Sequence, residues 1–181
     1  MITHMQKSVD AKNMIVKGWF LAGSAQQSYR ASYDRKVFHS GKVSARLESA
    51  EKKIQGFATL MQDFSAKNYR DKRMAVSAYI KTQDVTGWTG LWMQVEGAGK
   101  DSLGFDNMKN RALKGSLDWK KYSVILDIPK ESKLIGFGIL LSGEGTVWIN
   151  GVKFQEVEKS VSVTNMNIPL PLEPENLDFT S

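Results

Sequence analysis

Two rings and an amide, Trp88, Trp92 and Gln94, alternate with Leu91, Met93 and Val95 through residues 88–96. Successive side chains of an extended chain point to opposite faces, so the first set shares a face that the apolar set leaves free. Tyr79 stands in the same relation to its own segment, lying with Ser77 and Lys81 opposite Met74, Val76, Ala78 and Ile80. Asp106, Asn107, Asn110 and Arg111 follow in or near a connection. Flat rings accept the C–H face of a sugar ring. Amide, carboxylate and guanidinium groups hydrogen-bond its hydroxyls, and a pocket needs only a few of them. The pattern predicts one cleft on a concave sheet face. Tyr79, Trp88 and Trp92 form its stacking surface, and Gln94, Asp106, Asn107 and Arg111 its hydrogen-bonding rim. A structural alternative stands beside this reading: Trp92 can cover the second sheet face as packing, Asp106-Asn107 can make an Asx-turn, and Arg111 can pair with Asp106.

Reaction chemistry is thinly supplied by comparison. The 181 residues contain no cysteine, which removes disulfides, thiolate metal sites and cysteine nucleophiles. Two histidines, His4 and His39, leave little for a histidine metal cluster or a serine triad. No G-x-S-x-G motif occurs. Gly97-Ala98-Gly99-Lys100 lacks the spacing and the following Ser or Thr of a phosphate loop, so it reads as a hairpin. Glu96, Asp101 and Asp106 are neighbours in sequence, but nothing singles out one of them as an acid in apolar surroundings. The expectation is a non-catalytic module without a cofactor. The formal charge of +6 is uneven, with 15 Lys+Arg against 7 Asp+Glu in residues 1–90 and 10 against 12 in residues 91–181. Lys52-Lys53, the cations of residues 67–73 and Lys120-Lys121 would suit phosphates. They are spread over separate segments, so a nucleic-acid partner is not expected.

The elements that must position these residues are short and extended. With 41% hydrophobic and 24% charged residues, the chain can bury a sizeable core in one domain. Residues 73–81, 88–96 and 120–128 alternate with period two, and 134–141 is apolar on both faces, as a central strand would be. Weaker strands are read at 14–21, 29–34, 43–48, 56–64 and 102–108. Val147 and Ile149 share a face with Val152 and Phe154 only if one residue is added at Asn150-Gly151, which is what a β-bulge does. About ten strands, with no convincing amphipathic helix, predict an all-β jelly-roll sandwich. The domain occupies residues 13–157, after a loose polar lead-in at 1–12. Residues 158–181 form an extended acidic tail: 160–181 holds no Lys or Arg, and Pro169, Pro171 and Pro174 fix its backbone. A protein partner would dock there. No apolar run approaches the ~20 residues of a membrane helix. The first residues lack the apolar stretch of a secretory signal, so no membrane partner and a cytoplasmic location are expected.

Four motifs follow one another in an order that resembles the galactose-binding-like jelly rolls typical of carbohydrate-binding modules. They are His39-Ser40-Gly41-Lys42-Val43, Val76-Ser77-Ala78-Tyr79-Ile80, Asp118-Trp119-Lys120-Lys121-Tyr122 and Gly145-Thr146-Val147-Trp148-Ile149-Asn150-Gly151. The resemblance covers most of residues 13–157. It implies a galactose-binding-domain-like sandwich that takes a carbohydrate or another small polar ligand. Gly90-Leu91-Trp92-Met93 and Phe105-Asp106-Asn107-Met108-Lys109-Asn110-Arg111 look closer to a bacterial group. Its members occur beside regulator or esterase-like domains, AraC-type transcription regulators among them. That likeness implies a competing function, an interaction or assembly domain of a bacterial regulatory protein with no small ligand. No helix-turn-helix is recognisable in the chain, so DNA binding is not carried over. Many such jelly rolls place an Asp in the final strand, where it helps hold a structural calcium. The matching position here is Asn150. Calcium favours several oxygens and more than one carboxylate, so the neutral amide puts that calcium in doubt and the metal is left unassigned.

Overall fold

Period-two alternation drives ten strands through the described residues of the computed structural model, which are 14–166, 174, 177 and 178. The first five are β1 (Met14–Val16), β2 (Trp19–Ala22), β3 (Tyr29–Asp34), β4 (Ser44–Ser49) and β5 (Phe57–Ser65). β6 (Lys72–Glu96), β7 (Ser102–Asp106), β8 (Leu113–Ile128), β9 (Leu134–Ser142) and β10 (Thr146–Glu156) complete them. One layer runs β3-β4-β10-β6-β8 and the other β1-β2-β5-β9-β6-β7, all antiparallel.

β6 belongs to both layers. Its residues 74–83 pair with β10, and its residues 88–96 pair with β9. The alternation reads as two strands because the residues between them, 82–87, are polar or small apart from Val85. Three register shifts against β8 between Ile80 and Thr89, with Asp84 at φ 53°, let the chain turn from one layer into the other without leaving the sheet. Val76, Ala78 and Ile80 then face Leu91, Met93 and Val95 across the core, together with Val124, Leu126, Ile139 and Leu141, all buried. Full burial of each large aliphatic side chain stabilises by about 1.5–3 kcal/mol, which is what holds the layers together. The all-β sandwich expected from the alternation is the fold the chain adopts.

Two local expectations meet the structure directly. β10 shifts register between Asn150 and Lys153, placing Val147, Ile149, Val152 and Phe154 on the core side. β9 is buried on both faces along most of its length. β8 starts at Leu113 rather than near 120, because the exposed residues 114–118 follow β6 around its bend, where no core imposes alternation.

β7 and β8 are the strands at one side of the sandwich, and the chain after β10 crosses both. Thr164 N–H donates to the Ile125 carbonyl at 2.8 Å, and Met166 N–H to the Phe105 carbonyl at 2.7 Å. Ile125 N–H in turn donates to Thr164 Oγ1, and Phe105 N–H to Asn165 Oδ1. Residues 159–166 are thus a strap on their own domain. The lead-in at 1–12 and the proline run at 168–173 lie outside the described residues.

Candidate functional site

Core packing turns Tyr79 outward on the β10–β6–β8 layer, where it lies in register between Asn150 and Lys121. Gly151, in the bulge beside its ring, holds φ 61°, a left-handed backbone that glycine adopts without strain. The His39 imidazole stacks on that ring, with centroids 3.7 Å apart and planes 11° apart. Trp119 meets His39 edge-on at 5.9 Å. Three rings from three separate parts of the chain therefore form one group on this face.

The loop that delivers His39 is tied at both ends. Asp34 Oδ1 accepts the N–H groups of Lys36 and Val37 at 2.8 and 2.9 Å, and Asp34 Oδ2 accepts the Trp148 indole N–H at 2.9 Å. Asn150 Oδ1 accepts the N–H groups of Ser40 at 2.7 Å and His39 at 3.2 Å, and its Nδ2 donates to the Val43 carbonyl at 2.9 Å. That amide oxygen is turned to hydrogen-bond donors, the opposite of what a cation requires. At the position matched from sequence to a calcium ligand, the amide oxygen is thus taken up by two backbone N–H groups. Among the described residues, no group of three or more His, Asp or Glu side chains is placed to hold one.

Charge rims the rings. Lys81 Nζ lies 3.3 Å from Asp118 Oδ1 in an exposed pair, and Lys121 is exposed beside them. The Trp119 backbone N–H, with Lys81 next, holds the Asp118 carboxyl below its ordinary range. These groups can stack on and hydrogen-bond a polar ligand.

The other expected site residues sit elsewhere, which corrects the single cleft. β6 carries Tyr79 in one layer and Trp88, Trp92 and Gln94 in the other, so the two groups face opposite sides of the sandwich. Trp92 is 1% exposed, and its indole N–H donates to Thr59 Oγ1 at 2.7 Å. It is a packing residue, because a buried ring offers no platform. Trp88 is half-buried with the Lys109 ammonium 4.4 Å from its ring centroid, and Gln94 is half-buried on the same face. Asn107 lies near Trp88, since a Cβ on Gly90 would approach both. Asn107 Oδ1 accepts the Lys109 N–H at 3.0 Å, and Asp106 Oδ1 the Met108 N–H at 2.8 Å, two successive Asx-turns. Asp106 is 0% exposed and pairs with Arg111 at 2.6 Å; Arg111 also reaches the Ser123 carbonyl. Asp106 and Arg111 staple β7 to β8 rather than forming a rim.

Sequence reasoning missed His39 and Trp119 as partners of Tyr79. Their only signals were a histidine before Ser40-Gly41 and a tryptophan entering an alternating segment, and neither states that the two meet. Trp148, by contrast, is 5% exposed and packs as part of the fold.

No family model matches the chain. Over 167 residues it is 44% identical to the uncharacterized HTH-type transcriptional regulator YbfP of Bacillus subtilis strain 168, a match that takes in 91% of this chain and 57% of the regulator. The chain thus spans little more than half the length of that relative. The CBM22-1 xylan-binding domain of Paenibacillus barcinonensis Xyn10C is similar in structure, with TM-score 0.56 and 14% identity over 80% of this chain and 88% of that domain. The enzymatically active domain of bacteriophage CBA120 tailspike protein 4 has TM-score 0.60 and 10% identity, over 78% of this chain and 20% of that one. At such identities the likeness concerns the fold. The chain therefore has the all-β sandwich fold that carbohydrate-binding modules also have.

Proposed function

We propose that this domain binds a carbohydrate without transforming it, on the outer face of the β10–β6–β8 layer. The observation that carries the reading is the ring group of Tyr79, His39 and Trp119, gathered on an outward face by a loop tied down at both ends. Trp119 and His39 supply the stacking surface, and Tyr79 backs His39. Lys81, Asp118 and Lys121 supply hydrogen bonds to hydroxyl groups. Likeness to a xylan-binding domain supports the ligand class. Likeness to part of a regulator supports a sensing role within a longer protein.

The test is titration calorimetry of the chain against soluble xylan, β-glucan, galactan and pectin. Trp119→Ala should weaken binding of the preferred polymer about tenfold or more, the equivalent of about 1.4 kcal/mol. Its midpoint of thermal unfolding should stay within about 4 °C, the shift that about 1 kcal/mol produces in a chain of this size. Unchanged affinity in Trp119→Ala would remove the site from this face. Absence of binding to all four polymers would favour the competing reading, an interaction domain of a regulator without a small ligand.

A further inference from the structure

A second opening lies between the layers. It has a volume of about 670 Å³, within the range of small-molecule sites, and is walled by Trp19 of β2, Phe64 of β5, Phe137 of β9 and Phe154 of β10, with Tyr69 from the loop after β5. The rings fix one another. Phe64 meets Tyr69, Phe137 and Phe154 edge-on at 5.6, 5.8 and 5.3 Å, and Trp19 meets Phe137 edge-on at 5.8 Å. The loop that brings Tyr69 is held too. Ala66 N–H donates to the Lys133 carbonyl and Asp71 N–H to the Ile128 carbonyl, while Arg70 Nε donates to the Ser132 carbonyl. The walls are therefore set before any ligand arrives.

Gln62 breaks the pattern of its strand at this place. It points to the core side of β5 between Leu60 and Phe64, where the alternation calls for an apolar residue. Its amide makes no hydrogen bond to a described residue, and neither does that of Asn68 across the opening. The Gln62 amide is not shut off from solvent and Asn68 is exposed, so both leave their polar atoms open to a ligand, and departures from local rules of this kind concentrate at functional sites. No charged side chain among the described residues lines the opening. Rings for a C–H face, two amides for hydroxyls and no charge define an uncharged sugar.

We propose that this inter-layer cleft is a second binding site, selective for neutral disaccharide-sized sugars, with Gln62 and Asn68 as its hydrogen-bonding pair. It differs from the Tyr79 face in place and in charge, because Lys81, Asp118 and Lys121 rim that face and no such group lines the cleft.

The experiment is an NMR titration of the full chain with maltose, cellobiose, lactose and xylobiose, and with digalacturonate as the charged counterpart. At least one neutral disaccharide should move the Trp19 indole and Asn68 amide signals, while digalacturonate leaves them in place. Gln62→Met, which keeps the volume and drops the amide, should weaken that binding about tenfold with the spectrum otherwise native; Asn68→Ala, at an exposed position, should do the same without touching the core. Shifts confined to His39 and Trp119 would overturn the cleft and leave the face reading standing. No shift at Trp19 or Asn68 with any neutral sugar, equal shifts with digalacturonate, or unchanged affinity in both variants would each overturn it as well.

Discussion

Asp106 ends β7 with its carboxylate fully buried, and Arg111, five residues on, is the cation that makes this tolerable. The guanidinium contacts both carboxylate oxygens, at 3.1 and 2.6 Å, and passes a further hydrogen bond to the Ser123 carbonyl of β8. Removing only the cation leaves a buried carboxylate with the Met108 N–H as its remaining described partner, which is more costly than losing an exposed pair. Arg111→Ala should lower stability by about 3 kcal/mol in urea unfolding. A loss under about 1 kcal/mol would mean that the Met108 N–H, with solvent entering where the guanidinium stood, is enough to hold the carboxylate. The two residues were legible as a pair or as a ligand rim. Spacing of five allows both, and only burial of Asp106 separates them.

Among the elements, β9 shows how closely the inner strands approach their neighbours. Gly138 pairs with Met61 on one side and Trp92 on the other, and a Cβ there would fall 2.3 Å from the Leu60 carbonyl oxygen. Backbone cannot yield as a flexible side-chain tip can. Gly138→Ala should therefore cost about 1–3 kcal/mol as overpacking, read as a lowered unfolding midpoint. An unchanged midpoint would mean that β5 shifts freely against β9. The bulge of β10 has a second role at this scale. It reverses the phase so that Val152 and Phe154 return to the core, and it leaves Gly151 beside the Tyr79 ring. A sequence reader finds the bulge, because apolar alternation skips a beat at Asn150-Gly151. The same reader does not find that Asn150 pins the His39 loop, since its partners lie 107 to 111 residues away.

At the scale of the molecule, the strap of residues 159–166 closes one side of the sandwich, and its anchor is a charge cluster. Arg73 donates to both oxygens of Asp127 and to the Lys159 carbonyl, and Lys159 Nζ reaches Asp127 at 3.0 Å. Arg73 first, and Lys159 after it, pull the Asp127 pKa from 3.8 down to about 2 against the opposing effect of burial. A depressed carboxylate stabilises the folded state above its unfolded pKa, and that contribution is lost as pH falls through the folded value. Between pH of about 4 and about 2, the Thr164 and Met166 amide resonances should move toward unstructured positions before the core signals do. Asp127→Asn should lack this acid step; a step of the same size in that variant would place the acid-sensitive group elsewhere. What the sequence determined alone is the architecture: hydrophobic alternation is local, and enough of it in short runs leaves a chain no better solution than two packed sheets. Tertiary structure decided which exposed rings meet. β6 carries Tyr79 and Trp92 to opposite sides, while a loop from residue 39 and a strand from residue 119 bring His39 and Trp119 to Tyr79. Alternation tells a residue which face of its own strand it takes, but which layer that strand joins, and what lies beside it, depends on pairings between distant segments that no local pattern encodes.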